Sequence, residues 1–177
     1  DEGEAPAGVI KGAVRAALRV TQDWPVQADR DALYDAGFNI AINHPVYGVV
    51  AMGNRALADP AAEPLGYELA ARRLIMRIRA EGETILERWV QRRVAGDGLE
   101  LGDLKGDLKA MLAGFYDRRA LYGSTPAEAF SVDTGPAVNT PQSLAEQKLK
   151  AVVGVRVSPN AEQTSLELVR APITEEL

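Results

Sequence analysis

Side chains suited to catalysis or metal binding are scarce in this chain. It has one histidine, His44, and no cysteine, which excludes disulfides, thiolate nucleophiles and cysteine-based zinc sites. A serine nucleophile needs a neighbouring base, and this single imidazole would have to serve all the serines. They are Ser124, Ser131, Ser143, Ser158 and Ser165. His44 directly precedes Pro45 in a predicted turn, so we interpret it as an exposed turn residue.

Acidic residues cluster around the start of a predicted helix. The cluster is Asp97, Glu100, Asp103 and Asp107. Carboxylates near a helix N-terminus are stabilised by the helix dipole, which explains the cluster without a catalytic role. An acid-pair hydrolase using Asp103, Asp107 or Asp117 is a remote alternative. Residues 96–98 lack the Lys-Ser/Thr and the preceding strand of a phosphate-binding loop. We therefore predict no catalytic residue, no cofactor and no metal site.

Arginines line the longest predicted helix on the side opposite its apolar stripe. They are Arg72, Arg73, Arg77, Arg79, Arg88, Arg92 and Arg93. We take Arg72, Arg73 and Arg77 as candidates for contact with an acidic partner subunit, and a solvated helix face is the alternative. The net charge of −5 over 177 residues argues against nucleic-acid binding by the whole chain.

Hydrophobic periodicity predicts an α+β fold. The predicted helices are residues 29–36, ended by Gly37, then 66–93 and 104–121, with a short one from Pro141. The predicted strands are residues 38–42, 46–52, 151–157 and 165–169, with a further strand between the second long helix and the short one. We expect a mixed β-sheet with the two long helices packed on one face. No apolar run reaches the length of a membrane span, and no secretory signal pattern opens the chain.

The last two predicted strands, 151–157 and 165–169, are adjacent in sequence, and we expect them to pair antiparallel. A sheet that ends this close to the chain terminus has an edge with unpaired backbone groups. We predict that this edge serves assembly with other subunits. The residues that we expect in the linking strand are Leu166, Leu168, Val169 and Arg170.

Several short strings resemble a known family in their order and spacing. Leu33-Tyr34-Asp35-Ala36-Gly37-Phe38-Asn39 is followed by Gly53-Asn54-Arg55-Ala56-Leu57, then by Arg72-Arg73-Leu74 and Leu121-Tyr122-Gly123. Phe130-Ser131-Val132-Asp133, Asn139-Thr140 and Val153-Gly154-Val155 complete the series. Together they resemble the C-terminal region of contractile tail sheath proteins, as in contractile phage tails, R-type pyocins and related contractile injection systems. The family's aromatic-Glu-Pro-Asn string is replaced here by residues 94–99.

The resemblance implies a structural protein rather than an enzyme. A sheath subunit polymerises as stacked hexameric rings around an inner tube and contracts to drive the tube through a target envelope, with arms that complete neighbouring sheets. Its implied partners are other copies of itself, the inner tube protein, and baseplate and tail terminator proteins, without nucleic acid or membrane insertion. The family's basic attachment helix makes Lys148 and Lys150 candidates for contact with the tube. The alternative is another tube or baseplate component of the same particle.

The resemblance also divides the chain. Residues 1–30 are expected to be a linker or partial segment, 31–171 the sheath core domain, and 172–177 a C-terminal tail. The first residue is Asp1, and we expect the sequence to be part of a longer protein. The expected location is the virion tail or contractile particle, assembled in the bacterial cytoplasm.

Overall fold

The computed structural model describes residues 4–57, 59, 61–63 and 67–160. Its helices are α1 (Gly8–Lys11), α2 (Gln27–Asp35), α3 (Leu69–Glu87), α4 (Leu99–Asp117), α5 (Pro126–Ala129) and α6 (Pro141–Ala145). Its strands are β1 (Ile40–His44), β2 (Gly48–Met52), β3 (Phe130–Asp133) and β4 (Val152–Val155). The predicted α+β class is confirmed.

The first sheet is the hairpin of β1 and β2, which pair antiparallel with Ile42 opposite Val50. Gly37, with φ of 87°, lies just after α2 and turns the chain into β1. The outer edge of β2 is joined by residues 12–14, since the Ala51 N–H donates to the Gly12 carbonyl and the Val14 N–H donates to the Val49 carbonyl. On the other side, Asn43 anchors the segment around Val20 through its side chain.

The long helices α3 and α4 supply most of the hydrophobic core. Leu74, Ile78 and Ile85 of α3 belong to the same buried cluster as the α4 side chains Leu104, Leu108, Leu112 and Phe115. Val132 of β3 is buried in this cluster, and Val155 of β4 packs against it. The expected packing of two long amphipathic helices on a sheet is therefore present.

The second sheet pairs β3 with β4 antiparallel, with Phe130 opposite Val155. We expected one mixed sheet, but the strands of the described residues form two separate two-stranded sheets. The hairpin β1–β2 binds residues 12–14 along its far edge, so it is not joined there to β3 or β4. The predicted strand 165–169 lies outside the described residues, and the observed partner of 152–155 is β3.

Helix boundaries and one apolar stripe differ from the prediction. α4 begins at Leu99 after Gly98, whose φ of 81° stops any helical continuation from the preceding turn. It ends at Asp117, because Arg119 has a φ of 61°. Ile75 and Val90, whose spacing from other apolar residues of the long helix predicts a place on its apolar stripe, are exposed. Ile75 directly follows the buried Leu74, and one residue rotates a helix by about 100° away from the core side.

No helix within the described residues combines the length and the apolar character that crossing a membrane requires.

Candidate interaction surfaces

One edge of the segment 150–158 is completely paired. The Arg156 N–H donates to the Ala129 carbonyl, beyond β3, and the Ser158 N–H donates to the Ala120 carbonyl. Leu121 and Val157 form an isolated antiparallel bridge between these points. Since alternate residues of a strand point their backbone groups to opposite edges, residues 152, 154, 156 and 158 face these partners.

The opposite edge of the same segment has no strand partner among the described residues, and we call it the open edge. It presents the backbone groups of Val153, Val155 and Val157, and no backbone hydrogen bond reaches them from within the described part of the chain. The side chains of Val152 and Val153 are 46% and 37% exposed. An exposed strand edge with apolar side chains is a template for another strand. The edge found here is that of β4, whereas the predicted linking residues Leu166, Leu168, Val169 and Arg170 lie outside the described residues.

Asn139 fixes the start of this segment. Its buried side chain accepts a hydrogen bond from the Lys150 N–H at 2.8 Å and donates to the Lys150 carbonyl, also at 2.8 Å. It donates a further bond of 2.9 Å to the Thr134 carbonyl. Thr134 in turn donates its hydroxyl to the Leu101 carbonyl of α4 at 2.8 Å. Asparagine before a helix is typical of a cap or turn former, but Asn139 instead binds the backbone of residues distant in sequence.

The two lysines predicted to contact the tube have different surroundings. The Lys148 side chain is 72% exposed and its ammonium is 2.7 Å from a Glu146 carboxylate oxygen. Lys150 is exposed and its backbone is held by Asn139. α6 begins with a cap in which the Thr140 hydroxyl accepts the Ser143 N–H. The structure thus places both lysines on the surface between α6 and β4.

Two of the strings that carry the family resemblance meet around Arg55. Asn39 accepts the Arg55 N–H at 2.9 Å and donates to the Arg55 carbonyl at 2.7 Å. The Arg55 guanidinium stacks between Tyr34 and Tyr67, 4.2 and 4.5 Å from the ring centroids. A Cβ at Gly53 would lie 2.6 Å from the Asn39 amide oxygen. The spacing of these strings therefore reflects a folded contact that periodicity does not reveal.

The arginine-rich side of α3 faces solvent. Arg77 lies 2.9 Å from Glu81, Arg79 lies 2.8 Å from Glu83, and Arg72 is 3.8 Å from Glu63. Arg73 is exposed. The hydrogen-bonded pair with Glu83 raises the pKa of Arg79. Such exposed pairs add little stability, so the face remains available to a partner.

Two of the carboxylates around the start of α4 accept hydrogen bonds from nearby backbone N–H groups. Asp97 accepts the Leu99 N–H at 3.1 Å, and Glu100 accepts the Ala95 N–H at 3.2 Å. Asp103 and Asp107 are exposed one and two turns further along. The dipole explanation fits the first pair, and it weakens beyond the first turn.

His44 closes the β1–β2 turn. Its Nδ1 accepts the N–H groups of Val46 and Tyr47 at 3.2 and 3.3 Å, and its ring lies 4.9 Å from that of Tyr47. This agrees with its interpretation as a turn residue. The sequence did not predict that the imidazole itself accepts these N–H groups. The available signal was the spacing, because His44 precedes Val46 by two residues, as the Asn or Asp of an Asx-turn precedes the residue whose N–H it accepts.

A surface cavity beside the end of α4 does not bring together a catalytic set. Its volume is about 680 Å³ and its wall carries both charges, with Asp117 and Glu128 beside Arg119 and Arg156. The Glu128 carboxylate accepts the Ser124 N–H. Asp103 and Asp107 do not line this cavity, so the acid pair proposed as an alternative does not converge with Asp117. Among the described residues, no cluster of His, Asp and Glu has the geometry of a metal site.

Perturbed carboxyl groups lie away from that cavity. A hydrogen bond from Lys11 lowers the pKa of Glu4, and one from the Asn43 side chain lowers the pKa of Asp23. Both belong to contacts that attach the N-terminal segment. They indicate structural pairing rather than a reactive group.

Comparison with solved structures identifies the architecture. The chain aligns with a chain of the anti-feeding prophage baseplate with a TM-score of 0.80, at 20% identity, over 96% of its length. It aligns equally well, with a TM-score of 0.80 and 19% identity over 96%, with a chain of an extracellular contractile injection system, the PVC sheath complex in its contracted state. The chain has the fold of the chains that it matches in these contractile particles. The contracted helical sheath of the anti-feeding prophage matches with a TM-score of 0.74 at 19% identity over 95% of the chain.

The likeness covers nearly all of this chain but only part of each neighbour. The chain spans about half of the matched proteins, between 45% and 46% of their lengths in these three cases. No protein-family model matches the sequence, and no curated protein matches it either. The similarity therefore rests on the fold, and the resemblance predicted from the short strings is confirmed at that level.

Proposed function

We propose that this chain is the core of a contractile tail sheath subunit, which stacks as hexameric rings around an inner tube and contracts to drive the tube through a target cell envelope. The proposal is carried by the fold that it shares, over nearly its whole length, with chains of contracted sheath structures. The open edge of β4 supports it, because a subunit that links to neighbours by strand addition needs such an edge. The role is structural rather than enzymatic.

The partners follow from this assembly. They are other copies of the same chain, the inner tube protein, and the baseplate and tail terminator proteins, in a virion tail or bacterial particle assembled in the cytoplasm. A baseplate component is the second candidate, because baseplate structures of the anti-feeding prophage are among the matches. A sheath subunit forms long cylinders by itself, whereas a baseplate component does not.

Negative-stain imaging of the natural full-length protein tests the proposal. Striated cylinders are expected from the unaltered protein. A variant that ends before Leu166 is expected to remain folded, with an unchanged circular dichroism spectrum, and to form no cylinders, because its linking strand is gone. Cylinders from the truncated variant would show that residues 166–177 are not a linking arm. Absence of any polymer from the unaltered protein would favour the baseplate candidate.

Charge reversal at Lys148 and Lys150 tests the tube contact. The variant K148E/K150E is expected to bind an acidic inner tube less than the unaltered protein does, with its own melting temperature unchanged, since both side chains are exposed. Co-sedimentation with purified tube at two salt concentrations measures this, because salt screens exposed charges. K105E/K109E on α4 is the matched control, with the same change in charge at another surface. Equal loss in both variants would contradict a specific contact.

A further inference from the structure

The first half of α3 presents an unusual exposed face. Residues 69–79 contain four arginines and no acidic residue. Met76 lies among them and is 64% exposed. We call Arg72, Arg73, Met76, Arg77 and Arg79 the arginine face. It combines a basic surface with one flexible apolar side chain, which is the composition of a contact surface rather than of a purely solvated one.

The position of these arginines opposes the stability of the helix. A helix N-terminus carries partial positive charge and favours carboxylates in its first turn. The first turn of α3 has no acidic residue, although Glu68 directly precedes the helix and the Asn54 side chain accepts the Ala70 N–H at 3.0 Å. Arg72 is the fourth residue of the helix and Arg73 the fifth, and the Glu63 carboxylate is 3.8 Å from Arg72. The helix dipole therefore does not favour an arginine at position 72, and an acidic surface outside the chain would.

α4 presents the complementary surface. Glu100, Asp103 and Asp107 follow one another at spacings of three and four residues, which places them along one side of the helix. We call them the acidic face. Within the described residues no hydrogen bond or ion pair engages the carboxylates of Asp103 and Asp107, as the side-chain bonds and ion pairs found there involve other residues. These two charges therefore have the capacity to bind an external partner.

A glycine beside the acidic face favours close approach. Gly106 adjoins Asp107 in the interior of α4, and a Cβ built there meets nothing within 4 Å. Glycine in a helix interior lowers helix stability relative to alanine, and no packing among the described residues requires it. A helix of another molecule that packs there would gain from the missing side chain. This glycine supports the acidic face as a contact surface and does not by itself define a site.

We propose that the arginine face of one copy of this chain docks on the acidic face of a second copy. The inference rests on the proposed self-assembly and specifies one of its contacts. The contact that we propose is heterologous: each copy uses its α3 toward one neighbour and its α4 toward the next. Such contacts generate rings or helical arrays. Opposite charges fix the register of the two helices, and Met76 fills the space beside Gly106.

Paired charge reversals test the contact in the natural full-length protein. R72E/R73E makes the arginine face acidic, and D103K/D107K makes the acidic face basic. Each variant alone is expected to lose self-association by about 100-fold, measured by sedimentation velocity. An equimolar mixture is expected to recover it to within about 10-fold, because alternating copies again bring opposite charges together. R88E/R93E, with the same change in net charge, is the control and is expected to assemble normally.

A stability measurement separates docking from folding. R72E/R73E is expected to melt within about 3 °C of the unaltered protein, because both side chains are exposed and exposed charges contribute little to stability. Normal cylinders from either reversal variant, or no recovery in the mixture, would overturn the docking while leaving the sheath proposal intact. Loss of assembly in R88E/R93E would overturn it as well. If the unaltered protein never associates, both the docking and the sheath proposal fail.

Discussion

Replacement of Val153 by proline is expected to abolish cylinder formation and to leave the subunit folded. Val153 points its N–H to the open edge of β4, where no backbone partner exists within the described residues. Proline removes that donor, and its fixed φ of about −65° is compatible with an extended edge strand. The bonds of residues 152, 154 and 156 to β3 and its extension do not involve this N–H. The expected loss is therefore confined to the strand that a neighbour would add.

Two control variants sharpen this test. V153T keeps the N–H and the branched side chain, so cylinders are expected. G154P removes an N–H that faces β3 and introduces ring atoms where a Cβ would lie 2.8 Å from the Ser131 hydroxyl oxygen, so it is expected to lower the unfolding free energy by about 2 kcal/mol or more. Negative-stain imaging and thermal melting of the three variants decide the matter. Striated cylinders from V153P would show that the open edge plays no part in assembly.

Much of the fold follows from local signals in the sequence. Alternating apolar residues predicted the strands of the β1–β2 hairpin, and Gly37 was correctly assigned as the end of the short helix because its positive φ suits glycine. The apolar repeat of α3 and α4 predicted two long helices with Leu74, Leu108 and Phe115 inside. These features depend on neighbours within about one turn or one strand, which is why periodicity finds them.

Strand pairing was less accessible to the sequence. Adjacent strands usually pair, and this led us to expect residues 165–169 beside 151–157. Residues 165–169 lie outside the described residues, so that pairing stays a prediction. The structure pairs 152–155 with β3, although α6 and its flanking loops intervene. What decides the pairing is that Val132 and Val155 share the core formed by α3 and α4. Such a preference arises from burial in three dimensions and leaves no trace in the spacing of residues along the chain.

The candidate surfaces were also predictable from the sequence only in part. The arginines of α3 and the exposure of Lys148 follow from helical spacing and composition. The backbone contacts of Asn39 and Asn139 do not, because a side-chain amide that binds one distant residue has no period. The available hint was that Asn39 lies within the string from Leu33 to Asn39 and that Asn139 precedes the capped α6. Those strings predicted the fold through resemblance, and the structure supplies the reason why their spacing is fixed.

Replacement of Asn139 by alanine is expected to lower the unfolding free energy by about 2–3 kcal/mol, because it leaves the N–H and carbonyl of Lys150 and the carbonyl of Thr134 without their partner in a largely buried place. Asn139 is only 3% exposed, so water does not readily replace the lost bonds. For a chain of this size the melting temperature is expected to fall by roughly 4–10 °C. Chemical denaturation and thermal melting measure both quantities.

Asn39 provides a matched control for this prediction. Its side chain makes the same two bonds to the backbone of Arg55, but these bonds are exposed to solvent. Water can therefore satisfy Arg55 in N39A, and the expected cost is about 1 kcal/mol or less. The removed atoms and the two bonds to one residue's backbone are the same, so the variants differ in burial and in the additional bond of Asn139 to the Thr134 carbonyl. If N39A destabilises the protein as much as N139A, burial does not set the energy of these amide contacts, and the anchoring of β4 to α4 through Thr134 and Asn139 contributes less than their geometry indicates.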